Sequence, residues 1–160
     1  MKSARAFLFA VALSLLAAVP AAADITAFLG ANTTPANRQT RGVAAGVGFL
    51  IVAFEFEYGF TPDDPTATAP SLHTGMGNVL LQSPVKFFGV QPYYTTGGGL
   101  FQETLGTHKE TNVGLNTGGG AKIELAGPIR LRLDYRVFKL GSGALYSPAH
   151  RIYAGINLKF

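Results

Sequence analysis

Arg151-Ile152-Tyr153-Ala154-Gly155-Ile156-Asn157-Leu158-Lys159-Phe160 is the last stretch of the sequence, and its period decides how the rest is read. Ile152, Ala154, Ile156, Leu158 and Phe160 fall on one face at period two. Arg151, Tyr153, Gly155, Asn157 and Lys159 fall on the other. Strict alternation over this length predicts a strand with one apolar and one polar face. The stretch stops on an aromatic ring, where a frayed polar tail is the usual finish of a soluble domain. The fold therefore turns on one question: whether the apolar face points into a protein core or out into lipid.

The opposite terminus bears on that question. Lys2 and Arg5 precede an apolar run from Phe7 to Val19, broken only by Ser14, and Ala21-Ala22-Ala23 follows. A charged start, a short apolar core and a small-residue site are the features of a secretory signal. The run is short for a membrane anchor, which needs about 20 residues. Residues 1–23 are expected to be a cleaved signal peptide, with one domain over 24–160. Subtracting 23 from 160 leaves 137 residues, enough for a single domain. No later stretch is a continuous apolar run of helical-span length. Removing Lys2 and Arg5 from the 13 basic residues leaves 11 against 9 acidic ones, and no basic cluster stands outside alternating strands. Nucleic-acid binding is not expected. With no cysteine there is neither disulfide nor thiolate chemistry. Glycine, at 20 residues, argues against long helices.

Alternation recurs along the chain. Strands are predicted over Ile25 to Ala31, Gly42 to Phe49, Val52 to Phe60, Leu72 to Leu81, Val90 to Phe101, Thr111 to Leu125, Ile129 to Phe138, and the closing stretch. The fourth has no clear inside–outside phase. Polar connections are expected at Asn32 to Thr40, at Thr61 to Pro70 (whose prolines argue against regular structure), at Gln102 to Glu110 and at Lys139 to Pro148. Short links follow strands two, four and six. With consecutive strands antiparallel, all four long loops leave one end and both termini the other.

An even number of antiparallel strands can close on itself and abolish its edges. Closure leaves two readings: a soluble lipocalin- or avidin-like barrel, apolar inside, or the inverse. Three features favour the inverse. Gly46, Gly48, Gly97, Gly99, Gly114, Gly118 and Gly120 lie on the polar face, where glycine makes room for long side chains in a narrow lumen. Phe54, Phe56, Tyr58, Phe60, Tyr135 and Phe160 lie on the apolar face near strand ends, as interface girdles do. Loop lengths are asymmetric between the two ends. The polar face also forms a self-consistent charge set. If Ala126-Gly127-Pro128 sets the register, Glu124 lies opposite Arg130 and Lys122 opposite Arg132, with Asp134 on the diagonal. Strand three is across the barrel from strand seven, so Glu55 and Glu57 face Arg130, Arg132 and Arg136. Interleaved charges of this kind can satisfy one another in a lumen. The predicted fold is an all-β, eight-stranded antiparallel up-and-down transmembrane β-barrel.

The signal, the eight strands, the glycine-rich inward faces and the terminal phenylalanine resemble the OmpA/OmpX-like outer-membrane β-barrel proteins of Gram-negative bacteria. The sharpest likeness is in the last eight residues, where Tyr153, Gly155, Leu158 and Phe160 resemble the C-terminal assembly signal of that family. The resemblance implies a place in the outer membrane, among outer-membrane lipids and lipopolysaccharide. It also implies handling by periplasmic chaperones and the barrel-assembly machinery. It covers the mature chain in architecture and leaves the surface ligand unnamed.

No catalytic residue, metal ligand or cofactor is expected. His73, His108 and His150 read as rim or loop histidines, and their spacing to serine does not match the His-x-Ser pattern of lipid A deacylases. Asp63-Asp64 falls short of a calcium cage, which takes 6–8 oxygens. Gly97-Gly98-Gly99 and Gly118-Gly119-Gly120 lie in strands with no helix after them, so no phosphate loop is formed. The expected role is structural, or surface binding through the extracellular loops. The alternatives are a narrow porin-like pore for ions or small solutes and a lipid-modifying enzyme.

Overall fold

The structure, a computed structural model, describes residues 22–160. The expected signal peptide lies outside the described residues except for Ala22 and Ala23, which open the first strand. Eight strands follow in order: β1 Ala22–Asn32, β2 Arg38–Phe49, β3 Val52–Thr61, β4 Ser71–Gln82, β5 Val90–Leu105, β6 His108–Ala126, β7 Ile129–Leu140 and β8 Ala149–Lys159. Each pairs antiparallel with the next, and β8 returns to β1 to close the barrel. The seam runs from Asp24↔Lys159 to Asn32↔Arg151. Every strand therefore has two partners, and no edge is left open.

The alternation read in the closing stretch is carried out in space. Ile152, Ala154, Ile156 and Leu158 point outward, while Arg151, Tyr153, Gly155 and Asn157 are buried inside. The same inversion holds in β3, where Phe54, Phe56 and Tyr58 are exposed and Ala53, Glu55 and Glu57 are buried. In β7, Leu133 and Tyr135 face out while Arg130, Arg132, Asp134 and Arg136 face in. The phase of β4 is now fixed: Leu72, Thr74, Met76, Asn78 and Leu80 face in, and His73, Gly75, Gly77, Val79 and Leu81 face out. A contiguous apolar wall around a charged interior is unstable in water and suits a hydrocarbon surrounding, where every backbone group must bond within the barrel.

Two expectations about connections are corrected. Gln102 to Glu110 is mostly ladder: β5 and β6 pair up to Leu105↔His108 and turn through Gly106 and Thr107 alone. The stretch is polar on both faces because it stands above the apolar wall, so its hydropathy resembled a loop while its backbone kept pairing. Gly106 takes φ +59°, the left-handed conformation that a two-residue hairpin needs. Within Thr61 to Pro70 there is one turn of regular structure, a 3₁₀ turn at Pro65–Ala67. The Asp64 carboxylate caps it, accepting from the Thr66 N–H at 3.0 Å and the Ala67 N–H at 3.4 Å. The Thr66 hydroxyl on Asp64 also holds that carboxyl below its ordinary value, with burial opposing and the backbone N–H groups adding. Proline at the first position of such a turn has no N–H to lose.

Candidate functional site

The lumen is filled in layers from the turn end to the loop end. At the turn end, Asp24 of β1 accepts from Lys122 of β6 at 2.6 Å and from Arg130 of β7 at 3.0 Å. Arg130 Nε also donates to the Asn157 amide oxygen at 2.7 Å, and Asn157 Nδ2 donates to Thr26 at 2.8 Å. A side cavity of about 340 Å³ opens here, with Asp24, Gln82, Gln91, Lys122 and Arg130 in its lining.

The central layer spans the barrel from β7 to β3. Arg132 is fully buried and forks onto the Glu55 carboxylate, one arm at 3.1 Å, while the same arm reaches Asp134 at 3.2 Å. Its Nε donates to the Tyr93 hydroxyl at 2.8 Å, and that hydroxyl donates on to Asp134. Arg136 takes Glu55 at 3.0 Å, Glu57 at 3.0 Å and Asp134 at 2.9 Å. Arg151 of β8 reaches Glu57 at 2.7 Å, and the Tyr153 hydroxyl donates to the same carboxylate at 3.1 Å. Each carboxylate here serves two cations or more, or a cation and a phenol. That multiplicity offsets the desolvation of burying charge, which a single pair rarely does.

Room for these side chains comes from glycine. A Cβ at Gly59 would run into the Arg151 guanidinium and stand 3.0 Å from the Thr74 hydroxyl. At Gly155 a Cβ would lie 2.9 Å from Phe28 Cβ, and Phe28 in turn stacks on Tyr153 with centroids 4.1 Å apart. Tyr153 and Gly155 thus form a packed seam with β1, with the tyrosine hydroxyl aimed into the ionic layer.

Above the charges the lumen turns apolar. Leu72, Met76, Phe101, Phe138, Leu140 and Ala149 make a buried plug. The Arg151 guanidinium lies 4.2 Å over the Phe138 ring where the two layers meet. The loops are tied across the plug. Arg38 donates to the carbonyls of Thr34 at 2.9 Å and Pro62 at 3.0 Å, and also to that of Pro70. Glu103, on the hairpin above the wall, accepts the Leu145 N–H at 2.8 Å. Burial pushes its carboxyl above the ordinary value, while that N–H pulls it down.

Of the residues expected in the lumen, Glu55, Glu57, Lys122, Arg130, Arg132, Asp134 and Arg136 are all buried there. Glu124 is not. It holds its register opposite Arg130, but its carboxylate is exposed at the turn end and pairs with Lys86. A one-residue register shift between Glu124 and Ala126 ends the regular ladder at that point. Arg130 pairs with Asp24 and not with Glu55 or Glu57. Asp24, Tyr93, Arg151, Tyr153 and Asn157 complete the network. Asp24 continues the inward phase of Thr26 and Phe28, a sign that was readable once β1 is extended past Ile25. His73 and His150 sit on the outer face, each bonded through Nδ1 to a tyrosine hydroxyl: Tyr58 at 2.8 Å and Tyr135 at 2.7 Å.

Solved structures share this architecture. The N-terminal β-barrel domain of Pseudomonas aeruginosa OprF superposes with a TM-score of 0.68 at 14% identity, covering 87% of this chain and 97% of that one. The fold is that of the small eight-stranded outer-membrane barrels. Neisserial surface protein A matches at TM-score 0.65 and 19% identity, over 88% and 96% of the two chains. Ail of Yersinia pestis, solved in complex with the heparin analogue sucrose octasulfate, matches at TM-score 0.55 and 8% identity, over 88% and 98%. No family model matches the chain, and no curated protein matches it in sequence.

Proposed function

We infer that this chain is an integral outer-membrane barrel of a Gram-negative bacterium, without catalytic activity, whose role is structural or is surface binding through its loop end. One observation carries the reading: the lumen is closed twice, by the ionic layer around Arg132 and Arg136 and by the plug around Met76 and Phe138. A closed lumen leaves the loop surface as the part that can meet other molecules. That surface is held in a fixed shape by Arg38 and Glu103, which favours recognition by a preformed face. The heparin analogue on Ail is a precedent for a sulfated ligand on a barrel of this fold.

The test uses the absence of cysteine. A single cysteine at Thr107, at the hairpin tip, should react with a membrane-impermeant maleimide on intact cells, and one at Gly127, in a turn at the opposite end, should not. Labelling of Gly127→Cys alone would overturn the orientation. Planar-bilayer recordings of refolded protein should show no steady conductance. Steady channels, lost in Arg132→Ala, would favour a narrow pore instead.

A further inference from the structure

On the lipid-facing wall, across the β8–β1 seam, lies a groove of about 930 Å³. Small and branched side chains shape it: Ala27, Val43, Ala154, Ile156, Leu29 and Leu131. Neighbouring strands set the order, with Val43 and Ile156 flanking Ala27 and with Leu29 beside Ala154. The depression exists because alanine stands at the seam, while β3, on the far side of β2, carries the bulky Phe56, Tyr58 and Phe60. At its loop-end rim stand Arg41, Tyr58 and His73. Arg41 is exposed on the outer face, level with Phe60, and its guanidinium lies 5.6 Å from that ring. Among the described residues it has no carboxylate partner. When the Tyr58 hydroxyl donates to His73 Nδ1, the neutral ring carries its proton on Nε2, leaving a second donor on the same rim, across the Phe60 ring from the guanidinium.

At the loop-end rim a guanidinium on the outer wall stands at the depth of the lipid headgroups, where it is tolerated and can meet an anion. An apolar groove with a cation and a ring donor at one end is complementary to a molecule with an acyl chain and an anionic head. The only such molecule that this face meets continuously is a membrane lipid. We propose that the groove over Ala27 and Ala154 is a site for a phosphorylated acyl lipid of the outer leaflet, its chain in the groove and its phosphate on Arg41. Guanidinium forms paired, charge-assisted bonds with phosphate, so the headgroup contact is directional. The site also lies over the seam, so an occupied groove covers the contact that closes the barrel. The proposal rests on the outer-membrane reading and on the loop end facing outward.

The test is native mass spectrometry of the refolded full chain in non-ionic detergent, after gel mobility has established that it is folded. The probes are lipid A with both phosphates, its dephosphorylated form, and inorganic phosphate. Wild type should retain phosphorylated lipid A. Arg41→Gln should weaken retention of that form by about tenfold or more and leave the dephosphorylated form unchanged. Ala27→Phe, which fills the groove from outside the fold, should weaken both. Lys139→Gln, an exposed cation at the loop end of β7, should change neither. Equal retention by wild type and Arg41→Gln, equal loss in Lys139→Gln, or displacement of the lipid by inorganic phosphate would overturn the site. A species of two chains without lipid would assign the groove to a second copy and overturn it too. A heat-modifiable barrel that keeps no lipid refutes this site alone. A chain that reaches the same fold without detergent refutes the membrane reading, and the site with it.

Discussion

The two faces of the wall are built from alternate residues of the same strands, yet they obey opposite rules. Arg132 and Leu133 are neighbours in sequence; the first is fully buried and the second is 42% exposed. Inside, the charged groups share partners, Arg132 and Arg136 both reaching Glu55 and Asp134, so removing one leaves a buried carboxylate short of a cation. Outside, each side chain meets a fluid that adapts to its shape, and only polarity matters. Burial in this barrel is therefore the costly environment, and exposure the permissive one, the reverse of a soluble domain.

Substitutions in the two faces should separate these rules. The largest effect is expected from Arg132→Ala. It strips Glu55 and Asp134 of a shared cation in a sealed lumen and should lose about 3–5 kcal/mol. Reversible denaturant unfolding in vesicles measures it. A loss close to zero would show that the lumen is wet and the network loose. Leu133→Arg, one residue along, should cost about 2–4 kcal/mol at mid-depth by the same assay, and less if moved toward a strand end. No dependence on depth would count against lipid as the outer environment. Gly155→Ala places a Cβ 2.6 Å from the Ala27 carbonyl oxygen and 2.9 Å from Phe28 Cβ, and overpacking of this kind costs about 1–3 kcal/mol. Its signature is a slower approach to the compact gel band, because the strain sits in the closing seam. The smallest effect belongs to Lys86→Ala. Its exposed pair with Glu124 should leave the unfolding midpoint unmoved; a clear shift would return Glu124 to the ionic network.

The wall is legible in the sequence because period two survives in most strands, and of the eight charges that the alternation assigns to the lumen seven are buried inside. What it hid has physical causes. The hairpin above β5 and β6 rises clear of the apolar wall, so both of its faces are polar and its strand period carries no hydropathy signal. Leu72, Met76 and Phe101, and Leu80 nearer the turn end, are apolar residues pointing inward, against the rule of a polar lumen, which is why β4 had no readable phase and the plug went unseen. Glu124 followed the alternation faithfully, but the ladder is interrupted after it and the lumen ends there. Asp24 borders the signal-like segment, and its role depends on a strand that begins before the first clear apolar alternation.

An inverted barrel requires that the face of Leu133, and not that of Arg132, meets lipid. Because the chain has no cysteine, single cysteines can be placed at Leu133, Phe56 and Ile156 on the outer wall and at Thr107 on the hairpin tip, and each labelled with an environment-sensitive fluorophore. In vesicles carrying a quencher on the acyl chains, the three wall positions should be strongly quenched and the hairpin tip spared. Wall positions that are quenched by an aqueous reagent and indifferent to the lipid-borne one would contradict the inverted barrel.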